Sequence, residues 1–347
     1  MFRVGYDLSE IAETEMNSTT YQADFSVGER CFIILLLFVL IVVGSFGNAL
    51  VMYAVLKNRT MRIAINILLV ALAFSDAVIC LLCVPFDLIT VMLNRWIFGR
   101  SFCIVHASIY SVMLIEGIFI LCIISVDRYR IIVGRKNEIN FQNTVVVLVI
   151  STITAIACCV STGHIVNYVF RSRQMHCNLG SNLNGLQRSI ISIYTACGYF
   201  VPLITMSSCY FIIICTLRRT VRRINCQDTT TVNTSLRMRY NFKFKTRTLW
   251  TVFLLYIIFV FTKTPYFLFK IIANKESMNG YIYTTCILYL GSTLNPVVYV
   301  WKIGIIRQMF RKVVSRCLCT KNKEPDTRNK YIISINSRQT EEGTLVN

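Results

Sequence analysis

Ionisable side chains stand inside stretches of this chain that are otherwise apolar, among them Asp76, Glu116, Lys263 and the adjacent pair Asp127–Arg128. A charge in apolar surroundings is costly and marks a working site: an ion or proton path, a ligand counter-ion, or a switch held by a counter-charge. Asp127 beside Arg128 reads as a restrained cation. Covalent chemistry finds no such support. The chain shows no convincing set of nucleophile, base and orienter, no metal-ligand spacing and no phosphate loop, and His106, His164 and His176 are scattered. No enzyme activity and no cofactor are expected.

The elements that hold these residues must themselves be apolar. Of 347 residues 55% are hydrophobic and 15% charged, against about 25% charged in an average soluble domain. The apolar residues form runs near 31–56, 64–93, 103–133, 145–169, 188–217, 248–273 and 281–301. Each is long enough for a helix to cross a hydrocarbon core, which takes roughly 20 residues and leaves no backbone group unpaired. The expected fold is an all-α membrane protein: a seven-transmembrane helix bundle with the bilayer as solvent.

Charge sets the orientation. The first thirty residues carry Asp7, Glu10, Glu13, Glu15, Asp24 and Glu29 against Arg3 and Arg30, and no cleavable signal is evident, so the N-terminus is expected outside. The net charge of +19 gathers in alternate loops. Lys57, Arg59 and Arg62 fall in one, Arg130, Arg135 and Lys136 in the next, and Arg218, Arg219, Arg222, Arg223, Arg237, Arg239, Lys243, Lys245 and Arg247 in a third. Basic loops stay cytoplasmic during insertion. The charge therefore argues for a membrane protein rather than a nucleic-acid binder, with an inside C-terminus. Residues 303–316 set Ile305, Ile306, Met309, Phe310, Val313 and Val314 against Arg307, Arg311, Lys312 and Arg316, a short amphipathic eighth helix lying on the inner leaflet. Four segments follow: an outer tail 1–30, a bundle 31–301, an amphipathic segment 302–319 and a polar tail 320–347.

Residues 125–129 read Ser-Val-Asp-Arg-Tyr at the inner end of the third run, and 295–299 read Asn-Pro-Val-Val-Tyr at the inner end of the seventh. With Gly47-Asn48, Leu72-Ala73-Phe74-Ser75-Asp76, Pro202, Tyr210, Phe259 and Pro265 in order, the chain resembles the rhodopsin-family G-protein-coupled receptors over nearly its whole length. The resemblance implies coupling of an extracellular signal to a heterotrimeric G protein at the plasma membrane, with arrestin and receptor kinases as further partners. It assigns coupling and activation to Asp127, Arg128, Tyr129, Tyr210, Asn295, Pro296 and Tyr299. It also assigns a packed trio, Pro202, Ile118 and Phe259, that links the ligand pocket to helix movement. Pro265 and Pro296 each remove a backbone donor and permit a kink. Asp76, Asn48, Ser292 and Asn295 are expected to share a central polar cavity, which relatives use for a sodium ion. The ligand pocket is expected around Tyr110, Leu114, Lys263, Tyr266 and Lys270.

Cys103 and Cys177 both face an oxidising compartment and are expected to form a disulfide pinning the second outer loop. Most of the fifteen cysteines lie inside apolar runs and act as small hydrophobes. Asn17 heads an outside glycosylation sequon. Cys317 and Cys319 follow the amphipathic segment, a setting for S-palmitoylation, and Thr327, Ser334, Ser337, Thr340 and Thr344 offer phosphorylation sites in the tail.

The runs Met61–Leu69, Asn94–Gly99, Ile115–Gly117 and Ile123–Arg128 look most like a small orphan receptor group linked to lysophosphatidic acid and related lysophospholipids. Tyr110 stands where amine receptors place an Asp, which argues against a cationic monoamine. Arg95, Arg100, Arg171, Arg173, Arg188 and Lys270 could complement an anionic lipid head group, although basic residues near headgroups are commonplace. The chain departs from the pattern at Thr262-Lys263-Thr264-Pro265, where the family has Cys-Trp-x-Pro, and at Thr152, where it has Trp. Three fates are open to Lys263: a neutral amine, a pairing with Asp76 in place of sodium, or contact with an anionic ligand. Ionisable residues at this depth would also suit a transporter or channel, but the inverted repeats of that class are not seen. A divergent receptor that signals constitutively, or not at all, is the other alternative.

Overall fold

The computed structural model describes residues 25–134, 137, 139–165, 189, 192–226, 232–272 and 278–317. Within them the regular structure is helical throughout. Helix α1 spans Val27–Lys57. It begins a turn before the apolar run does because Ser26 and Glu29 form a capping box: the Ser26 hydroxyl accepts from the Glu29 amide and the Glu29 carboxylate accepts from the Ser26 amide. A 3-10 turn at Arg59–Met61 leads into α2, built of Ala64–Val78 and Val84–Leu93 around a π turn at Ile79–Cys83. Pro85 stands one residue beyond that turn, and the wider winding relieves the clash its ring would make four residues back.

Asn94 ends α2 in the left-handed region, and α3 (Gly99–Ile132) starts on a glycine with φ +75°, where a side chain would be strained. Helix α4 is Phe141–Ile165. Helix α5 (Val201–Cys226) follows a second π turn, Ala196–Phe200, again just ahead of a proline, Pro202. Helices α6 (Val232–Ile272) and α7 (Met278–Lys302) keep Pro265 and Pro296 inside. Helix α6 runs about four turns further into the basic segment than apolarity alone marks, because a formed helix extends cheaply through Lys and Arg. Helix α8 is Gly304–Cys317, and its Phe310 meets Phe46 of α1 edge to face.

The helices α1, α2, α3, α5, α6 and α7 close a ring, with α4 packed outside on α3 and α2. Helix α3 touches α2, α4, α5 and α6. Among the described residues five helices are long and apolar enough to cross a membrane by length and composition, and α4 supplies a shorter apolar helix, Phe141–Ala157. Helix α7 is less apolar because it carries Tyr281, Tyr283, Tyr289, Tyr299, Ser292 and Asn295, of which only Tyr283 is exposed. Phe32, Phe38, Phe211 and Phe261 point outward, as a bilayer solvent permits. Gly47 lets α1 meet α7: a Cβ there would lie 2.8 Å from Pro296 Cγ.

Candidate functional site

The described residues assemble polar stations at three levels along α3, and a fourth polar cluster where α3 faces α4. At the Arg128 end, the guanidinium Nη2 donates to Asp127 Oδ2 at 2.5 Å and Nε to the same oxygen at 3.2 Å, with both side chains buried. A buried charge pair with these bonds is costly to break by removing one partner. Beside it, Ser125 Oγ donates to Tyr210 Oη at 3.3 Å, and the Tyr210 ring meets Tyr256 and Phe253 of α6. Tyr129 packs against the same core, and Tyr299 is fully buried on α7. The Lys245 side chain lies outside the described residues.

The middle station is a cavity lined by Asp76, Leu114, Ile118, Phe259, Thr262, Lys263, Gly291 and Asn295 among others, with room for a water-sized occupant and little more. Asn295 Nδ2 donates to Asp76 Oδ2 at 2.7 Å, and the Ser292 hydroxyl stands beside the same carboxylate. Asn48 Nδ2 ties α1 to α7 through the Ser292 carbonyl at 3.0 Å. Lys263 lines the cavity too, but its ammonium donates to the Leu288 carbonyl of α7 at 3.2 Å, and no direct ion pair joins it to Asp76. A sodium ion in this cavity would meet a tethered cation, so these residues do not fit it. Ile118 and Phe259 share the cavity wall, and Pro202 is buried at the start of α5.

Glu116, also on α3, faces α4. Its Oε1 accepts from Ser151 Oγ at 2.9 Å and Thr152 Oγ1 at 3.1 Å. The small hydroxyl at 152, where the family pattern has Trp, thus serves the Glu116 carboxyl group.

At the Lys270 end, tyrosines converge from three helices. Tyr110 meets Tyr266 and Tyr289 edge to face at 6.4 and 5.9 Å, and the Lys270 ammonium lies 5.5 Å from the Tyr266 ring and 5.8 Å from the Tyr281 ring. Lys263 and Leu114, expected in this chamber, line the central cavity instead. Tyr289 Oη donates to Asp87 Oδ2 at 2.5 Å, and His106 Nε2 lies 3.7 Å from Asp87 Oδ1 and 3.3 Å from the Cys83 carbonyl. Sequence reasoning missed Asp87, His106, Tyr281 and Tyr289. Asp87 could have been found by the argument that singled out Asp76, because it too is an acid inside an apolar run. The tyrosines carry no such signal.

Cys103, at the start of α3, is disulfide-bonded. Cys177, its expected partner, lies outside the described residues, as do Asn17, Cys319, Arg171, Arg173, Arg188 and the tail sites from Thr327 to Thr344. Cys317 ends α8.

Residues 47–299 match the model of the 7 transmembrane receptor (rhodopsin family). The chain is 30% identical to a high-affinity lysophosphatidic acid receptor of Xenopus laevis, over 82% of each chain. It is 31% identical to the probable G-protein coupled receptor 45 of Mus musculus, over 80% of this chain and 81% of that one. Squid rhodopsin shares the fold, with a TM-score of 0.74 at 17% identity over 88% of this chain and 91% of that chain.

Proposed function

Because the chain belongs to the rhodopsin family of seven-transmembrane receptors, and is therefore a multi-pass G-protein-coupled receptor and not an enzyme, we propose that Arg128 is the element through which it activates its G protein. The observation that carries this is the closed, buried Asp127–Arg128 pair at the end of α3. The cation is held ready and unavailable, and opening of the helix ends around it would expose it to a G-protein tail. Tyr129, Tyr210 and Tyr299 shape that end, Asn295 and Pro296 join it to the central cavity through α7, and Pro202, Ile118 and Phe259 relay movement to it. The positive-inside distribution supports an outside N-terminus and an inside C-terminus, with arrestin and receptor kinases acting on the tail. A disulfide from Cys103 to Cys177, glycosylation at Asn17 and palmitoylation at Cys317 and Cys319 complete the reading.

The ligand is read as an anionic lysophospholipid. A relative bears that specificity in its name, and the chamber offers Lys270 above a tyrosine wall, a cation for a phosphate and apolar faces for a chain. The test is nucleotide exchange on purified G proteins by the purified receptor, with a lysophospholipid panel. Stimulation by lysophospholipid that Lys270→Ala weakens at least tenfold in half-maximal concentration supports the assignment. Exchange that no lysophospholipid alters overturns the ligand while leaving the coupling intact.

A further inference from the structure

Pro265 leaves the Phe261 carbonyl without its helical donor, so α6 is weakest in its own backbone bonds at the point where it would pivot. The two residues just before the proline make up for this by reaching in opposite directions. Thr264 Oγ1 and Tyr199 Oη of the π turn before α5 lie 2.5 Å apart, in a hydrogen bond that either can donate. Lys263 Nζ donates across to the Leu288 carbonyl of α7 at 3.2 Å.

We propose that Tyr199–Thr264 and Lys263–Leu288 form a two-sided polar latch that holds the α6 pivot between α5 and α7 in the resting receptor. The proposal rests on the receptor reading above.

Both arms are built into the fold. Tyr199 is fully buried, stacked on Phe267 at 4.1 Å and 15° and beside Phe259 at 5.7 Å, so its hydroxyl is aimed by packing. The π turn Ala196–Phe200 that carries it comes close to α3 through Gly198, whose Cβ would lie 3.2 Å from Ile115 Cδ1. On the other side Gly291 clears the path of Lys263. A Cβ there would fall 2.4 Å from Thr262 Oγ1 and 3.5 Å from Lys263 Cε. The Asp76 carboxylate across the cavity balances the ammonium without competing for its bond.

The resting state is the one latched, because these bonds coexist with the closed Asp127–Arg128 pair. A swing of the lower half of α6 carries Lys263 and Thr264 with it. Hydrogen bonds weaken steeply once stretched or bent, and bulk water is not there to replace them. Tyr199, Thr264 and Lys263 are thus positioning residues: none reaches the G-protein end.

The test uses the full-length receptor in lipid nanodiscs, as wild type, Tyr199→Phe, Thr264→Val, their double variant, Lys263→Met, Lys263→Arg and Lys263→Met combined with each of the first two. Tyr199→Phe keeps the stacked ring, and Thr264→Val serves should it fail to fold. Amide hydrogen exchange across residues 255–272, read with no G protein present, reports the pivot directly. Basal nucleotide exchange reports the consequence. Expected are faster α6 amide exchange and about threefold to tenfold higher basal activity in Tyr199→Phe, Thr264→Val and Lys263→Met, the range one lost hydrogen bond covers. The Tyr199→Phe, Thr264→Val double should match its singles, and Lys263→Met should add to either. Lys263→Arg, which keeps a cationic donor, should stay nearest wild type. Unchanged α6 exchange in both Tyr199→Phe and Thr264→Val, or basal activity that falls at equal receptor level, overturns the latch. Faster α6 exchange with no nucleotide exchange by any form supports the latch and overturns the G-protein reading instead.

Discussion

Arg128 and Asp127 are adjacent in sequence, and neighbours on a helix do not normally face each other; the length of the arginine side chain lets it fold back onto the carboxylate. Removing the cation should abolish nucleotide exchange while surface expression stays near wild type, measured for Arg128→Ala. Asp127→Asn weakens the restraint and is expected to raise basal exchange; a fall at equal expression would count against the restrained-cation reading. Glu116 makes a second residue-scale case. Thr152→Val removes one of its two hydroxyl partners, and losing a hydrogen bond to a buried polar group costs about 1–3 kcal/mol. Thermal unfolding in detergent should show that loss, and Thr152→Trp should reduce surface expression more severely because the indole displaces the carboxyl group.

Glycines at helix crossings decide how closely the elements pack. Helix α6 meets α7 at Gly291, where an added Cβ would lie 2.4 Å from Thr262 Oγ1. Gly291→Ala should therefore destabilise the receptor by about 1–3 kcal/mol, the usual cost of overpacking. Thr262→Ala in the same chain should recover most of it, which a melting series of wild type, two singles and the double would show. Similar melting points for Gly291→Ala and wild type would mean that the helices are not this close. The π turns at Ile79–Cys83 and Ala196–Phe200 are the other element-scale feature that the apolar runs do not announce. Each stands before a proline, Pro85 or Pro202, which sequence reasoning did not mark as a disturbance; a kink and an extra residue in the turn both relieve the same clash, and neighbouring helices select between them.

Across the bundle, one cavity sets an acid on α2 facing a lysine on α6. A fixed ammonium cannot leave as a free cation can, so basal nucleotide exchange in wild type should respond weakly to sodium at constant ionic strength. A strong response would show that Lys263 does not stand in for the ion, and a response appearing only in Lys263→Trp would support it. The seven-helix membrane fold, the Arg128 motif and the departures at Lys263 and Thr152 were all open to sequence reasoning. Apolar run length, charge placement and local motifs are properties of short stretches, and short stretches are what a sequence displays. The partners of those residues were not legible. That Lys263 reaches the Leu288 carbonyl, that Thr264 meets Tyr199, that Thr152 serves Glu116 and that Tyr289 serves Asp87 depend on which faces of distant helices meet. Helix crossings are set by the packing of many side chains at once, glycines and prolines included, and only the assembled bundle decides them.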